Sequence, residues 1–295
     1  MKSTSALLGN GINQLGHTGA SWNDVLSELA DYAGRPQIMD EAEHKPFTLI
    51  YEEVIAALIG PDPDESESEV KQKVANAVQA IPRNSYHEQF EKIGFRHILT
   101  TNYDYNFGPK AKSANLRPES KYSIFRRRLT PRQSIWMIHG EVGKPNTIML
   151  GHEQYAGSLQ KIRTYVTKKD KGPGGYSSPF RAGDYDFDAN KKVHSWVDVF
   201  LRDDIHVLGF SLDYTEIELW WIIAYKARLK RRSSLDIGET YFYLFSKNRK
   251  EPKTKAKVAL LESLGIKVFV REVKKNDFRL HYDWALQRLS KIKRV

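Results

Sequence analysis

Residues 97–104 read HILTTNYD, a short apolar run that stops abruptly at polar side chains. Continuous apolar runs of this length are typical of strands buried on both faces inside a parallel sheet. The pattern recurs four more times, and each copy ends in small or polar residues: residues 6–13, 135–141, 205–213 and 241–248. A sixth run, at residues 266–270, predicts a further strand.

Helices are predicted between these strands, and two of them carry recognisable start signals. Residues 21–24 (SWND) and 85–88 (SYHE) match capping boxes and precede apolar residues at helical spacing. Residues 214–229 are apolar almost all round, which predicts a central helix packed on the sheet. Residues 255–264 and 278–289 predict the last two helices.

Strands that alternate with helices predict an α/β fold of the Rossmann type, with a doubly wound, mostly parallel sheet. We expect a single domain over residues 1–295, with a helical insert at about residues 40–94. A stretch of little periodicity, at about residues 151–195, predicts an irregular lid or small module. The Rossmann-type core then comprises about residues 5–22, 95–150 and 196–275.

The amino-acid composition excludes several kinds of site and leaves others open. The chain has no cysteine, which excludes disulfides, cysteine-based zinc sites and thiol nucleophiles. No apolar run reaches the roughly 20 residues that span a bilayer, and no signal-peptide core is visible, so we expect a cytoplasmic protein without membrane contact. The net charge of +10 allows nucleic acid to bind through a basic surface or through a partner. Basic clusters such as residues 226–232 serve equally well as solvated surface.

Polar residues gather where the predicted strands end, which is where open α/β sheets bind their ligands. Glycines in residues 9–11 follow the first strand, and they let backbone N–H groups approach a phosphate. Asn102 and Asp104 follow a second strand, and His139 follows a third. Two structural alternatives stay open, because Asn102 could close an Asx turn and Asp104 could cap a helix.

These motifs resemble those of the sirtuins in their order and approximate spacing. The resemblance is closest to the bacterial sirtuin-like NAD⁺ hydrolases of anti-phage defence. It rests on four segments that match the glycine loop, the Gln-Asn-Ile-Asp segment, the His-Gly pair and the Gly-Thr-Ser strand end: residues 9–13, 101–104, 139–140 and 209–211. The chain departs from the sirtuin deacylases in two features, the four zinc-ribbon cysteines and the Asp-Phe-Arg after the glycine loop, neither of which has a counterpart.

The resemblance implies that NAD⁺ is a substrate, that Asn102 and His139 are catalytic, and that no metal takes part. Asn102 would lie beside the nicotinamide ribose, His139 would act as general base, and Asp104 would accept from the nicotinamide amide. The other implied NAD⁺-binding residues are Gly9, Asn10, Gly11, Asn13, Thr101, Gly209 and Ser211. Histidine titrates near neutrality and can take a proton from water, and an asparagine amide can both donate and accept.

We therefore expect an NAD⁺ glycohydrolase that releases nicotinamide and ADP-ribose and depletes NAD⁺ in prokaryotic antiviral defence. An NAD-dependent protein deacylase or ADP-ribosyltransferase is the alternative within the enzyme class. A non-catalytic nucleotide-sensing or nucleic-acid-binding subunit is the alternative from another class, and the basic charge would suit it. The resemblance and the apolar helix around Trp220 and Trp221 imply a homo-oligomer, with a HerA-type DNA-translocating ATPase as a candidate partner.

Overall fold

A computed structural model describes residues 3–16, 22–58, 63–115, 121–167, 178–180, 193–232, 237–246, 248–272 and 278–292. In chain order its strands are β1 Thr4–Leu8, β2 His97–Thr100, β3 Lys112–Ser113, β4 Arg127–Leu129, β5 Ser134–Met137, β6 Asp204–Leu208, β7 Thr240–Ser246 and β8 Lys267–Glu272. Its α-helices are α1 Trp22–Tyr32, α2 Phe47–Leu58, α3 Pro63–Gln79, α4 Ser85–Ile93, α5 His152–Thr167, α6 Trp196–Arg202, α7 Ile217–Arg232, α8 Pro252–Ser263 and α9 Arg279–Ser290.

The eight strands form one sheet in the order β3-β4-β5-β2-β1-β6-β7-β8. The six strands from β5 to β8 in that order pair in parallel, whereas β4 pairs antiparallel with both β5 and β3. The predicted doubly wound, mostly parallel α/β sheet is confirmed. Only β3 and β4 had no sequence signal, because they are two and three residues long and none of their residues is buried.

Both faces of the sheet are covered, as the continuous apolar runs predicted. Leu7 of β1 packs into a core with residues of α5, α6, α7 and α8. Its neighbours Ala6 and Leu8 point to the opposite face and pack with α4 and α9. Successive strand residues therefore serve two separate cores, and neither face can be exposed without losing apolar burial.

The expected helical insert at residues 40–94 contains α2, α3 and α4. Together α1, α2 and α3 form a third apolar core, which also includes Tyr103 and Ile148. In contrast, α4 packs on the sheet through Phe90 and Ile93. The cap of α4 is Asn84 rather than the predicted Ser85, since the Asn84 side chain accepts from the Tyr86 N–H at 3.0 Å. The predicted cap of α1 at residue 21 lies outside the described residues.

The expectation of an irregular module at residues 151–195 was wrong over residues 152–167, which form α5. Tyr155, Ile162, Tyr165 and Val166 are buried on one side of this helix, and the polar residues between them obscured the spacing. Residues 168–177 and 181–192 of the expected module lie outside the described residues. None of the described helices combines the length and the apolar character that crossing a bilayer requires.

Candidate functional site

Four neighbouring parallel strands end at one edge of the sheet, which we call the carboxyl edge. Leu8 at the end of β1 pairs with Thr100 of β2 on one side and with Leu208 of β6 on the other. Thr100 in turn pairs with Met137 of β5. The polar residues that follow these strands in the sequence therefore lie along a common edge.

A cavity of about 630 Å³ lies at this edge, and we call it the edge cavity. Its volume is in the range of roughly 300–1,000 Å³ that is usual for small-molecule sites. Most of the predicted site residues line it: Asn10, Gly11, Thr101, Asn102, Asp104, His139, Gly209 and Ser211. Gly9 and Asn13 do not line it. The folded chain thus brings together residues from four separate strand ends.

His139 lines the edge cavity and forms a buried pair with Glu218, which does not itself line it. Nε2 of His139 lies 2.8 Å from Oε1 of Glu218, and the two side chains are only 2% and 0% exposed. His139 follows β5, whereas Glu218 lies in the first turn of α7. A ring N–H that donates to a carboxylate fixes the orientation of an imidazole and the position of its proton.

The carboxylate of Glu218 leaves the other ring nitrogen available. With Nε2–H donated to Glu218, the neutral ring carries its lone pair on Nδ1, for which the described residues supply no hydrogen-bond partner. The backbone is held as well, since the Met149 N–H donates to the His139 carbonyl at 2.9 Å. Tyr155 of α5 packs edge-on against the ring at 5.3 Å. The imidazole of His139 is therefore held in one orientation in the cavity wall.

Asn102 has a buried side-chain amide that makes no hydrogen bond. Its backbone N–H donates to Oγ1 of Thr100 at 3.1 Å, but neither Oδ1 nor Nδ2 has a partner among the described residues. The side chain is 5% exposed and lines the edge cavity. An unpaired buried polar group costs about 1–3 kcal/mol, so this amide is held ready for an outside partner. The Asx-turn alternative was wrong for this residue.

Asp104 is held in place by hydrogen bonds to both of its oxygens. Oδ2 accepts from Nδ2 of Asn13 at 2.7 Å, and Oδ1 accepts from the Asn106 N–H at 2.8 Å, so Asp104 closes a turn instead of capping a helix. Burial raises the pKa of Asp104, and these bonds oppose that shift. Burial also lowers the pKa of His87 to about 4, and its Nε2 lies 3.1 Å from Oδ1 of Asn13. Asn13 thus positions Asp104 from behind the cavity wall.

The glycine segment after β1 is tied to the end of β6. The Gly9 N–H donates to the Leu208 carbonyl at 3.1 Å, and the Gly11 N–H donates to the Gly209 carbonyl at 2.9 Å. Residues 10–15 then form a short 3₁₀ helix. These two N–H groups hold the loop against its neighbour, so they are already engaged and a phosphate would need other donors.

Acidic and basic side chains also meet at the α7 side of the cavity. Burial raises the pKa of Glu216 well above its usual range, and the neighbouring carboxylates of Glu218 and Asp213 raise it further. The Asp213 N–H donates to Oε2 of Glu216 at 2.8 Å. Lys257 of α8 donates to the carbonyl of Ser211, and burial lowers its pKa. The shift favours the protonated form of Glu216 more than in an exposed glutamate.

The sequence reasoning missed Glu216, Glu218 and Tyr155. Two glutamates between the strand end at Gly209 and the apolar run at residues 219–223 were a usable signal for the first two. Tyr155 had no such signal, because the helix that carries it was not predicted.

The predicted basic surface is partly internal. Lys226 is 4% exposed and donates to the carbonyls of Phe200 at 2.7 Å and of Asp203 at 3.3 Å. Arg126 is also buried, and it donates to the Met137 carbonyl at 3.3 Å. Burial lowers the pKa of Lys226 to about 7. Both side chains bond to carbonyls in the interior, so the interpretation of the 226–232 cluster as solvated surface does not hold for Lys226.

One group of three carboxylate and imidazole side chains in the described part of the chain lies close enough to share a metal ion. It consists of Glu41, Glu43 and His44, all of them exposed. None of the three lines the edge cavity. The group therefore has no role in the chemistry of the cavity.

A comparison with known families bears on the same residues. The sequence model of a family described as a SIR2-like domain matches residues 96–269, which is more than half of the chain. The matched stretch includes Asn102, His139 and Glu218, and it ends before α9. No curated protein sequence matches the chain significantly.

Proposed function

The chain belongs to the SIR2-like family, and we propose that it is an NAD⁺ glycohydrolase that cleaves the nicotinamide–ribose bond. One observation carries the proposal: the Glu218-bound imidazole of His139 and the unpartnered amide of Asn102 meet in the wall of one cavity. Family membership supports NAD⁺ as the substrate, since SIR2-like domains are generally enzymes that use it.

The bond between nicotinamide and ribose breaks through a state with oxocarbenium character at the ribose carbon. An enzyme must therefore hold the ribose, keep other acceptors away and direct one nucleophile to that carbon. The free amide of Asn102 can donate to one oxygen and accept from another, so it can hold a ribose hydroxyl and a water together. The apolar walls of the cavity limit access by further water.

Water supplies the nucleophile in the proposed reaction. Its oxygen bonds to the ribose carbon, the electron pair of the broken bond leaves with neutral nicotinamide, and one proton is released. Nδ1 of His139 accepts that proton, directly or through a ribose hydroxyl. The buried carboxylate of Glu218 then stabilises the imidazolium. The products are nicotinamide and ADP-ribose.

The test is to incubate the purified full chain with NAD⁺ and to follow nicotinamide release. We expect turnover by the wild type and a loss of roughly 10²- to 10⁴-fold in His139→Ala, the usual span for a general base. Asn102→Ala should lose a similar factor. The double variant should be little worse than either single one, because groups that act on one reaction step give non-additive losses.

Three other results would contradict the assignment. A well-folded His139→Ala protein that hydrolyses NAD⁺ like the wild type would remove the proposed base. ADP-ribose found on an acylated peptide or on protein would favour the deacylase or transferase alternative. Binding of nucleotide or of DNA with no turnover at all would favour a non-catalytic subunit.

The proposed activity would suit anti-phage defence, in which loss of NAD⁺ stops an infected cell. We extend the proposal to assembly, either as a homo-oligomer or with a HerA-type ATPase. An aromatic surface beside the cavity supports assembly. There the side chain of Tyr214 is 60% exposed, and its ring stacks on the ring of Trp220 with 5.7 Å between the ring centres. Apolar rings of this size are enriched at protein interfaces.

A further inference from the structure

Tyr282 of α9 has a buried hydroxyl with no hydrogen-bond partner among the described residues. The side chain is 2% exposed and forms part of the wall of the edge cavity. Its ring is fixed by aromatic neighbours on three sides: Tyr86 at 5.8 Å, Phe90 at 6.4 Å and Phe245 at 5.7 Å. The hydroxyl therefore cannot turn away to solvent, and its unpaired state weakens the fold unless a ligand satisfies it.

The hydroxyl lies against the two glycine segments of the carboxyl edge. A Cβ atom added at Gly11 would lie 2.7 Å from Oη of Tyr282, and one added at Gly209 would overlap it. Gly209 also has a φ of +66°, which a larger residue adopts only with strain. The two glycines thus leave the space that Oη occupies, between the loop after β1 and the loop after β6.

The sheet order makes this point the expected place for the middle of a dinucleotide. From β1 the chain goes to β2 on one side, and it later returns to β6 on the other side of β1. Ligands of open α/β sheets bind at such a switch point, with the diphosphate over the turn that follows the first strand. A diphosphate there needs donors, yet the N–H groups of Gly9 and Gly11 already donate to the carbonyls of Leu208 and Gly209.

We propose that Tyr282 donates its hydroxyl hydrogen to a phosphate oxygen of the dinucleotide at the junction of the two glycine segments. The inference rests on the proposed function, in that it takes the edge cavity to be the NAD⁺ site. Burial raises the pKa of Tyr282, so the group stays an uncharged donor. The C-terminal helix α9 thereby contributes to the site, although it lies outside the matched family segment.

Binding measurements on the full chain test this role without any need for turnover. The probes are ADP-ribose, which carries the diphosphate, and adenosine, which does not. Tyr282→Phe keeps the ring and removes only the hydroxyl, and it should weaken ADP-ribose binding by about 10- to 150-fold, the range for hydrogen bonds to charged groups. Adenosine affinity should be unchanged. In turnover assays the KM for NAD⁺ should rise while kcat stays nearly constant.

Tyr86→Phe is the matched control, because Tyr86 packs on Tyr282 but its hydroxyl bonds to Asp283 outside the cavity. It should leave both affinities unchanged. Equal ADP-ribose affinity in Tyr282→Phe and the wild type would overturn the inference and leave the proposed function intact. An equal loss for ADP-ribose and adenosine would also overturn it, since the hydroxyl would then have only a structural role. If NAD⁺ is not hydrolysed, the proposed function fails, and a loss confined to ADP-ribose would still support the tyrosine.

Discussion

Replacing Glu218 tests whether His139 works as an oriented base. Glu218→Gln keeps the size of the side chain and removes its charge, so the imidazolium that forms during the reaction loses its ionic partner. The two atoms are 2.8 Å apart and almost fully buried, which makes this a strong, charge-assisted contact. A hydrogen bond of that kind contributes about 1.5–3 kcal/mol. At about 1.4 kcal/mol per factor of ten, kcat should fall by about 10- to 150-fold.

The assay is nicotinamide release, with melting temperature as the check on folding. Glu218→Ala should lose more than Glu218→Gln, since the ring also loses the group that orients it. KM should change little in either variant.

Arg228→Ala on the exposed side of the same helix is the control, and it should keep wild-type kinetics. If a folded Glu218→Gln protein kept the wild-type kcat, the reasoning from the buried pair would be refuted. A loss that appeared only in melting temperature would give Glu218 a structural role alone.

Three further outcomes are expected. Folding raises the pKa of Glu216 above its usual value of 4.5, so wild-type stability should fall as pH rises from 4.5 to the folded-state pKa. Glu216→Gln should therefore melt at a higher temperature than the wild type, by a margin that grows with pH. Equal pH dependence of the melting temperature in both proteins would contradict this. A chelator should leave NAD⁺ cleavage by the isolated chain intact, because the proposed mechanism needs no Lewis acid, and activity restored by one metal would disprove that mechanism. Sedimentation at rising concentration should show self-association, and Tyr214→Ser should weaken it if the aromatic surface is the interface.

The local pattern of residues was enough to predict the sheet. A strand buried on both faces must be apolar along its whole length. Runs such as residues 97–100 and 205–208 can therefore be recognised as strands from their own sequence, even when the strands beside them in the sheet are unknown. Parallel strands also have their ends on one side, so Asn102 and His139 could be expected to meet at one edge. The short strands β3 and β4 gave no such pattern, because none of their residues is buried.

The partners of the site residues depended on how distant helices pack. Glu218 contacts His139, 79 positions earlier in the chain, because the first turn of α7 packs beside the residues that follow β5. Tyr155 contacts the same ring from α5, whose apolar spacing was interrupted. Tyr282 lies at the glycine segments because α9 packs on the same face as α4.

Sequence by itself thus determined the α/β class and the edge where chemistry is expected, since each strand's burial and direction are local properties of the chain. Only the tertiary structure decided which groups are free to act there. The N–H groups of Gly9 and Gly11 are bound to carbonyls, whereas the side-chain amide of Asn102 and the hydroxyl of Tyr282 have no partner among the described residues. Hydrogen-bond satisfaction depends on distances between atoms far apart in sequence, and no local pattern encodes those distances.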